Sequence, residues 1–536
     1  MTEIQPTSGA PQPSGEELVQ FSRLTQRLPM IWRGIQERQP WDHTSVVVPS
    51  LSFDQEELAK ISGAPFYEER LLFILIRLRD PRARVAYVTS QPIHPDIVDY
   101  YLQHLVGVPA AHARARLGMF CVHDASARPL TEKLLERPRT LGRLRRWIGD
   151  PRHAYLTCFN TSFRERRLAV ELGIPLNGAD PALLGLGTKS GSREVFREAG
   201  VELPRGYENL HDLEEILDAL DRLSREPNPP RRVVVKLNDS FAGTGNALFT
   251  YPKELPEAEG PRREALGQAL TTMRWTSAEH TYASFLRKMG EMGGVVEEFV
   301  EAQEVRSPSV QLRINPDGEI GLISTHDQVL GGNTGQTYLG CRFPADGQYR
   351  ALIQERGMRI AEVLRRHGVI SRFGIDFLLT RPPGGAPGDW QCWAIEINLR
   401  MGGTTPPFLA LQFLAGGECD PDTGLFISHR KEEKFYYATD NLASPRYRGL
   451  LPEDLMDILA LHGLQFEHAT ETGVLFHMIG ALSQYGKVGV TCIGNSRVEA
   501  DELYQRTVEI LDLETGPDAH LTPQSPSLPG GVAGME

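Results

Sequence analysis

The sequence predicts a multidomain protein of mixed α/β and α+β class: a Rossmann-like unit, then a two-lobed α+β body, then a small α+β unit. Three observations predict it. At 536 residues the chain is too long for one hydrophobic core and suggests roughly three or four units. Between 45 and 180, short apolar runs alternate with helical stretches. Beyond 188 the pattern changes to longer strand-like runs that suit an antiparallel sheet.

Residues 1–16 and 515–536 are rich in Pro, Gly and Ser, lack apolar periodicity, and are expected to be disordered tails. In 17–187 the runs SVVVPSL, RVAYVTS, MFCVHD and AYLTCFN read as strands of a parallel sheet, separated by helices such as 67–79, 95–106 and 161–172. No GxGxxG follows the first strand, which argues against a dinucleotide site. A smaller α+β lobe is expected over 188–305, with helices at SREVFREAG and 211–225 and strands at VVVKL and GGVVEEFV. A larger antiparallel lobe is expected over 306–445, with a helix at 347–367 and a hairpin loop at RPPGGAPGD. The last unit, 446–514, carries a helix at 452–462, strands near 472–479 and 487–493, and a helix from 497.

Composition narrows the class. The net charge of −12 is spread along the chain and gives no reason to expect a nucleic-acid or membrane partner. The longest apolar run, LLFILI, is far too short to span a bilayer, and the N-terminus lacks the basic-then-apolar order of a secretory signal, so a cytoplasmic location is expected. Six cysteines without a CxxC pair argue against a disulfide framework and a zinc knuckle. Only nine of the 57 basic residues are lysines, so a lysine inside an apolar segment is informative.

One such lysine is Lys236, in VVVKLNDSFAGTGNALF. An ammonium in a β-branched strand needs an anionic partner, and a phosphate fits: Lys236 would reach its oxygens while the backbone around Gly243, Thr244 and Gly245 offers N–H groups. A strand lysine snorkelling to the surface is the plainer alternative. A second segment, VVEEFVEAQE, is a strand that runs out into an acidic linker. Its backbone could meet a purine edge, and Glu304 could accept ribose hydroxyls; a solvated edge strand is the alternative.

The third feature pairs FGIDFLL with WAIEINLR. In an antiparallel hairpin Asp376 and Glu396 could face each other, and period-two alternation places Glu396 and Asn398 on one face. Three oxygen ligands on one surface suit Mg²⁺. Arg400 continues that face and could steady a transferring phosphoryl group or a tetrahedral intermediate; buried ion pairs between Arg400 and the acids are the alternative.

Taken together, a lysine strand with a glycine loop, an acidic hinge, then Asp and Glu-x-Asn strands resemble the ATP-grasp superfamily over roughly 185–415. The resemblance implies that ATP and Mg²⁺ are the cofactors. It places the family's first phosphate lysine at Lys189, in GLGTKSGSREVFREAGV, and its second at Lys236. Its phosphate-covering loop falls on 239–246, its adenine hinge on Glu297, Glu298, Phe299 and Val300, and its ribose acid on Glu304. Its metal ligands fall on Asp376, Glu396 and Asn398. More narrowly, PSLSFDQEELAKISGAPFYEERLLFILIRLRDP and TGVLFHMIGALSQYGKVGVTCIGNSRVEA resemble a peptide-ligase group with a pre-ATP-grasp domain, typified by the ligase of pheganomycin biosynthesis. One departure stands out. Several amino-acid ligases of the superfamily carry an arginine two residues before the metal-binding aspartate, where this chain has Gly374; Arg372 and Arg400 are the two candidates for its role.

The expected activity is therefore ATP-dependent joining of a carboxylate to an amine or peptide through an acyl phosphate, with Lys236 and Arg400 as catalytic residues. Small-molecule carboxylate and amine substrates are the expected partners, and a homodimer is left open. A kinase of the same fold, a non-enzymatic ATP-binding scaffold and a dinucleotide oxidoreductase are the competing classes.

Overall fold

The computed structural model describes residues 13–53, 56, 58, 62–239, 245–276, 281–331, 337–382, 384–386 and 388–516. Most of the two predicted tails lies outside these residues; within them, Ser14 caps a helix over Gly15–Thr25, whose first residues fall inside the expected N-terminal tail. Among the described residues no helix is long and apolar enough to cross a membrane.

Three sheets organise the described residues. The first holds β1 (His43–Val48), β2 (Ala83–Thr89), β3 (Leu117–Cys121) and β4 (Ala154–Cys158), in the order β3-β2-β1-β4 and parallel throughout. β1 is buried along its whole length, including His43, Thr44 and Ser45, as expected of a strand in a sheet covered on both faces. The second holds β5 (Gly206–Leu210), β6 (Arg232–Leu237), β7 (Asn246–Thr250), β8 (Arg274–Trp275) and β9 (Gly294–Glu298), in the antiparallel order β5-β9-β6-β7-β8.

The third sheet has 11 strands. It comprises β10 (Glu304–Arg306), β11 (Pro308–Ile314), β12 (Ile320–Gly331), β13 (Thr337–Phe343), β14 (Ser371–Arg381), β15 (Gln391–Asn398), β16 (Glu418–Cys419), β17 (Phe426–Ile427), β18 (Glu433–Ala443), β19 (Gly473–His477) and β20 (Lys487–Gly494). β14 and β15 pair antiparallel across the Pro-Gly segment, which is the hairpin its composition predicts. β18 pairs with both β13 and β20, so the C-terminal strands continue the sheet that carries β14 and β15. Helix Arg350–Arg366 packs on this sheet through Ile353, Ile360 and Leu364, in one core with Val310, Leu312 and Phe373.

Side-chain caps set several helix starts. Thr188 accepts from the Gly191 N–H (3.0 Å) and opens helix Lys189–Glu198; Asp212 accepts from Glu215 (2.8 Å) and opens helix Leu213–Ser224. Gly191 is required for packing as well, because a Cβ there would lie 1.9 Å from the Gly185 carbonyl oxygen.

The segment predicted as a helix over 67–79 forms a 3₁₀ run over Ala64–Arg79, wedged between the first sheet and the C-terminal strands. Three consecutive charged residues are buried in it and find separate partners. Glu68 accepts from the Ser90 hydroxyl (2.6 Å), Glu69 from the Gly480 N–H (3.1 Å), and Arg70 donates to Asp440 (3.1 Å). Burial, with a smaller push from the charge of Glu68, raises the Glu69 carboxyl to about 7. The folded state thus holds a proton that the unfolded chain releases near its ordinary value of 4.5, and this stabilisation is lost as pH rises through about 7. Glu69→Gln keeps an acceptor for Gly480 and is expected to flatten that fall by about 1–3 kcal/mol. Denaturant unfolding across the window measures it, and a profile as steep as that of the wild type would assign the proton elsewhere.

Candidate active site

A cavity of about 1070 Å³ lies between the β5–β9 sheet and the β10–β20 sheet, and is closed at one end by the 3₁₀ segment. Its size exceeds the ~300–1,000 Å³ typical of single-ligand pockets, leaving room for more than one reactant. Lys189, Lys236, Asp376, Glu396, Asn398 and Arg400 all line it.

The β14–β15 hairpin builds the acidic part. Asp376 pairs with Glu396 and Gly374 with Asn398, so the three ligand candidates share the face that the period-two reading predicted. A bulge between Asp376 and Phe377 leaves Ile395 unpaired, and both Ile395 and Glu396 line the cavity. The Asp376 oxygens are held from two sides, by Gln328 Nε2 on Oδ1 (2.7 Å) and Asn398 Nδ2 on Oδ2 (3.0 Å). Lys189 Nζ lies 3.5 Å from Glu396 Oε1. Burial and then the neighbouring Glu396 charge push the Asp376 carboxyl up to about 7, against the lowering effects of Arg400, Gln328 and Asn398. Two neighbouring carboxylates, both half-buried in the cavity wall, are the electrostatic arrangement that a divalent cation relieves. Gly374 lines the cavity, whereas Arg372, two residues further along β14, does not; Arg400 does. Arg400 donates to the Met401 carbonyl (3.3 Å) and lies over the Phe53 ring (5.3 Å), and burial holds its guanidinium below its ordinary value.

On the opposite wall, β6 and β9 place Lys236 and Glu297 in contact. Here the anionic partner that the buried lysine demands is a protein carboxylate: Glu297 takes Lys236 on one oxygen and Arg193 on the other (3.2 Å). Glu297 was expected as part of a nucleotide hinge, but its side chain is 4 % exposed and serves this ion-pair network. Glu298 forms a two-point pair with Arg205 (2.7 and 2.9 Å). The Phe299 N–H bonds the Arg232 carbonyl (3.0 Å), and Phe299 to Ala302 then run along the cavity wall.

Glu304 is the sequence candidate that the fold takes away from the cavity. It sits in β10, and its carboxylate is held by Arg381 and by Arg306 (2.7 Å). Glu301 lines the wall instead and pairs with Arg232 (2.7 Å). Gly243 and Thr244 lie outside the described residues; Gly245 is described, and its carbonyl accepts from the Leu237 N–H (3.0 Å) where the hairpin returns.

Sequence reasoning missed Gln328, Arg70, Asp440 and Lys487, all of which line the cavity. The signal for Arg70 was present in FYEERLLFILIRLR, where three successive charges adjoin an apolar run. Gln328, Asp440 and Lys487 carry no comparable local mark.

Comparison with known proteins agrees with this architecture. A family described as IQCH-like, ATP-grasp matches residues 183–278 and 262–421, and one described as the PGM1 C-terminal domain matches 454–507. The chain is 32% identical over 482 residues to the L-propargylglycine–L-glutamate ligase of Streptantibioticus cattleyicolor, covering 88% of this chain and 94% of that protein. It is 25% identical over 426 residues to IQ motif-containing protein H of Danio rerio, spanning 72% of this chain and 40% of the fish protein.

Two solved structures share the fold. One is the ATP-analogue complex of biotin carboxylase from Campylobacter jejuni (TM-score 0.51, 12% identity, 89% and 95% of the two chains). The other is the biotin carboxylase domain of the Hydrogenobacter thermophilus 2-oxoglutarate carboxylase (TM-score 0.53, 13% identity, 90% and 95%). With a likeness to the ligase that extends over nearly the whole of both chains, this protein belongs to the same ATP-grasp ligase family as the L-propargylglycine–L-glutamate ligase.

Proposed function

We propose that the protein is an ATP-dependent carboxylate–amine ligase whose substrates are amino acids or short peptides. The observation that carries this reading is the convergence of Asp376, Glu396, Asn398, Lys189 and Arg400 on one cavity, with Lys236 and the 299–302 strand exit on its other wall. In support, the ligase relative is named for joining two amino acids. The narrower resemblance to the peptide-ligase group typified by the pheganomycin ligase extends the proposed acceptors to peptides. In the same proposal, 17–187 is a pre-ATP-grasp domain, 188–305 and 306–445 are the two ATP-grasp lobes, and 446–514 is a C-terminal domain.

The reaction has two balanced steps. A substrate carboxylate oxygen attacks the γ-phosphorus of ATP and ADP leaves, giving an acyl phosphate; the amine nitrogen then attacks the acyl carbon, phosphate leaves, and the nitrogen loses a proton. Asp376, Glu396 and the Asn398 side-chain oxygen fit Mg²⁺ by the chemistry of the donor set: hard oxygens, two adjacent carboxylates, and an Asp376 already oriented by Gln328. Bound there, Mg²⁺ would offset the phosphate charge that otherwise repels an incoming carboxylate. Lys189 and Lys236 supply positive charge to the phosphates from opposite walls, each restrained by a carboxylate, Glu396 and Glu297. The backbone at Phe299 to Ala302 faces the nucleotide base. Arg400 meets the oxyanion of the second step, where a buried guanidinium is stronger than in water.

An ADP-release screen of amino acids paired with amino acids and short peptides, followed by mass spectrometry, tests the reading. The expected result is ADP, free phosphate and an amide mass, each dependent on both substrates. ADP formed with a phosphorylated hydroxyl product would make the protein a kinase of this fold. Nucleotide binding with no turnover on any pair would make it a scaffold.

A further inference from the structure

The cavity extends past the metal-binding face to an end whose basic groups have no part in the steps above. Arg70 and Lys487 frame that end, one from the 3₁₀ segment and the other from the first residue of β20. Arg70 is 2% exposed, and its guanidinium carbon lies over two rings, Tyr67 at 4.5 Å and Phe159 at 4.4 Å. Its Nη1 donates to Asp440 (3.1 Å) and its Nε to the Tyr67 carbonyl (3.4 Å), while Nη2 is buried and has no hydrogen-bond acceptor among the described residues. An unsatisfied buried guanidinium nitrogen is costly, and in a cavity wall it marks a place for an acceptor.

Charge accounting agrees. Asp440 also accepts from His477 Nε2 (2.6 Å), so its single charge is shared. Burial alone would push the Asp440 carboxyl up, yet the His477 hydrogen bond and Arg70 hold it down at about 2, and it stays an anion. Lys487 Nζ donates to the Tyr67 hydroxyl (2.8 Å) and has no carboxylate partner among the described residues. Arg400, on the same cavity, is close enough to Arg70 for their charges to oppose each other. This end therefore carries more positive than negative charge, whereas Lys189, Lys236 and Arg232 are each matched by a carboxylate.

We propose that Arg70 and Lys487 form a carboxylate subsite for the amine-donating substrate, so that the acceptor is an amino acid or a peptide with a free C-terminal carboxylate. The proposal rests on the ligase reading and adds the acceptor's chemical class and the residues that select it. An acceptor must present its amine neutral and unengaged to the acyl carbon, so it has to be gripped elsewhere. A carboxylate held by a guanidinium pinned between rings, and by an ammonium beside it, does this. The ring contacts fix Arg70 before the substrate arrives, which limits the entropy lost on binding.

Matched acceptors test it: each amino acid against its own carboxamide, with full-length protein, saturating MgATP and amide product as the readout. Wild type is expected to favour the free acids in kcat/KM by at least about tenfold, the scale of a lost charge-assisted bond. Lys487→Met is expected to remove most of that preference by lowering turnover of the acids far more than that of the amides, and Lys487→Arg to restore it. Lys487 is partly exposed, so this variant avoids opening the buried Arg70–Asp440 pair.

An equilibrium measurement separates the two ideas. With MgADP present, millimolar free amino acids are expected to raise the melting temperature of wild type but not of Lys487→Met, and the carboxamides of neither. If amides couple as well as acids, or Lys487→Met slows both in proportion, the subsite is wrong and the ligase reading survives. If no pair yields an amide while the carboxylate-dependent shift persists, the ligase reading falls, the assignment to an amine-donating substrate falls with it, and what remains at Arg70 and Lys487 is a carboxylate-binding site. If neither signal exists, both fall.

Discussion

Glu396→Gln is expected to lower amide formation by at least about 100-fold, with a large rise in the Mg²⁺ concentration needed for half-maximal rate. The substitution keeps size and one carbonyl oxygen, so the packing of β15 against β14 survives. It removes one of the two negative charges of the proposed cation site. Asp376 then loses the neighbour whose charge raises its pKa, and Lys189 loses the carboxylate 3.5 Å from its Nζ. The first change relieves repulsion while the second takes a partner from a buried lysine, and the two oppose each other, so Glu396→Gln should melt close to wild type while turning over far more slowly. Steady-state ADP release titrated with Mg²⁺, run beside thermal melting, reads both quantities. Turnover within about twofold of wild type would move the metal away from this hairpin.

Much of this site was legible because its defining residues are close in sequence. Glu396 and Asn398 share a face through strand alternation alone, and Asp376 meets them across one hairpin whose Pro-Gly turn is visible in the text. The parallel first sheet was legible from short apolar runs, such as the three valines that end β1, alternating with helical stretches. Where the fold brings together distant residues, local pattern is silent. Gln328 orients Asp376 from β12, and Arg70 meets Asp440 across 370 positions of chain. Nothing near Lys236 announces that Glu297, rather than a phosphate alone, balances it; the β6–β9 register decides that. Glu304 fails as a cavity residue because β10 pairs with β14 and delivers its carboxylate to Arg381. The 3₁₀ run carries an apolar pattern that suits an α-helix equally well, so the sequence alone does not separate the two.

Arg400→Met is expected to reduce kcat by about 100-fold or more, the range seen when one preorganised oxyanion donor is lost, while the KM for ATP changes by about threefold or less. The asymmetry follows from where the charge stands. Lys189 and Lys236, the proposed phosphate contacts, line the cavity and are untouched by the substitution, so nucleotide binding should persist. Arg400 is two residues beyond Asn398, lines the same cavity, and has Glu396, Asp239 and Asp376 as its attractive charges, so it stands with the proposed metal ligands. Its loss has a second signature that a merely structural arginine would not produce. The Arg400 charge is one of the forces holding the Asp376 carboxyl down, so Arg400→Met should raise that pKa further above about 7. The unprotonated form that takes a divalent cation then becomes scarcer near neutrality. The Mg²⁺ requirement of the variant should therefore rise more steeply at acid pH than that of wild type and converge with it under alkaline conditions. Arg400→Lys, which keeps the charge and loses the planar fork, should restore the Mg²⁺ profile yet recover only part of kcat. If Arg400→Met instead weakened ATP binding and left kcat intact, the guanidinium would belong to the nucleotide, and the second chemical step would need another donor.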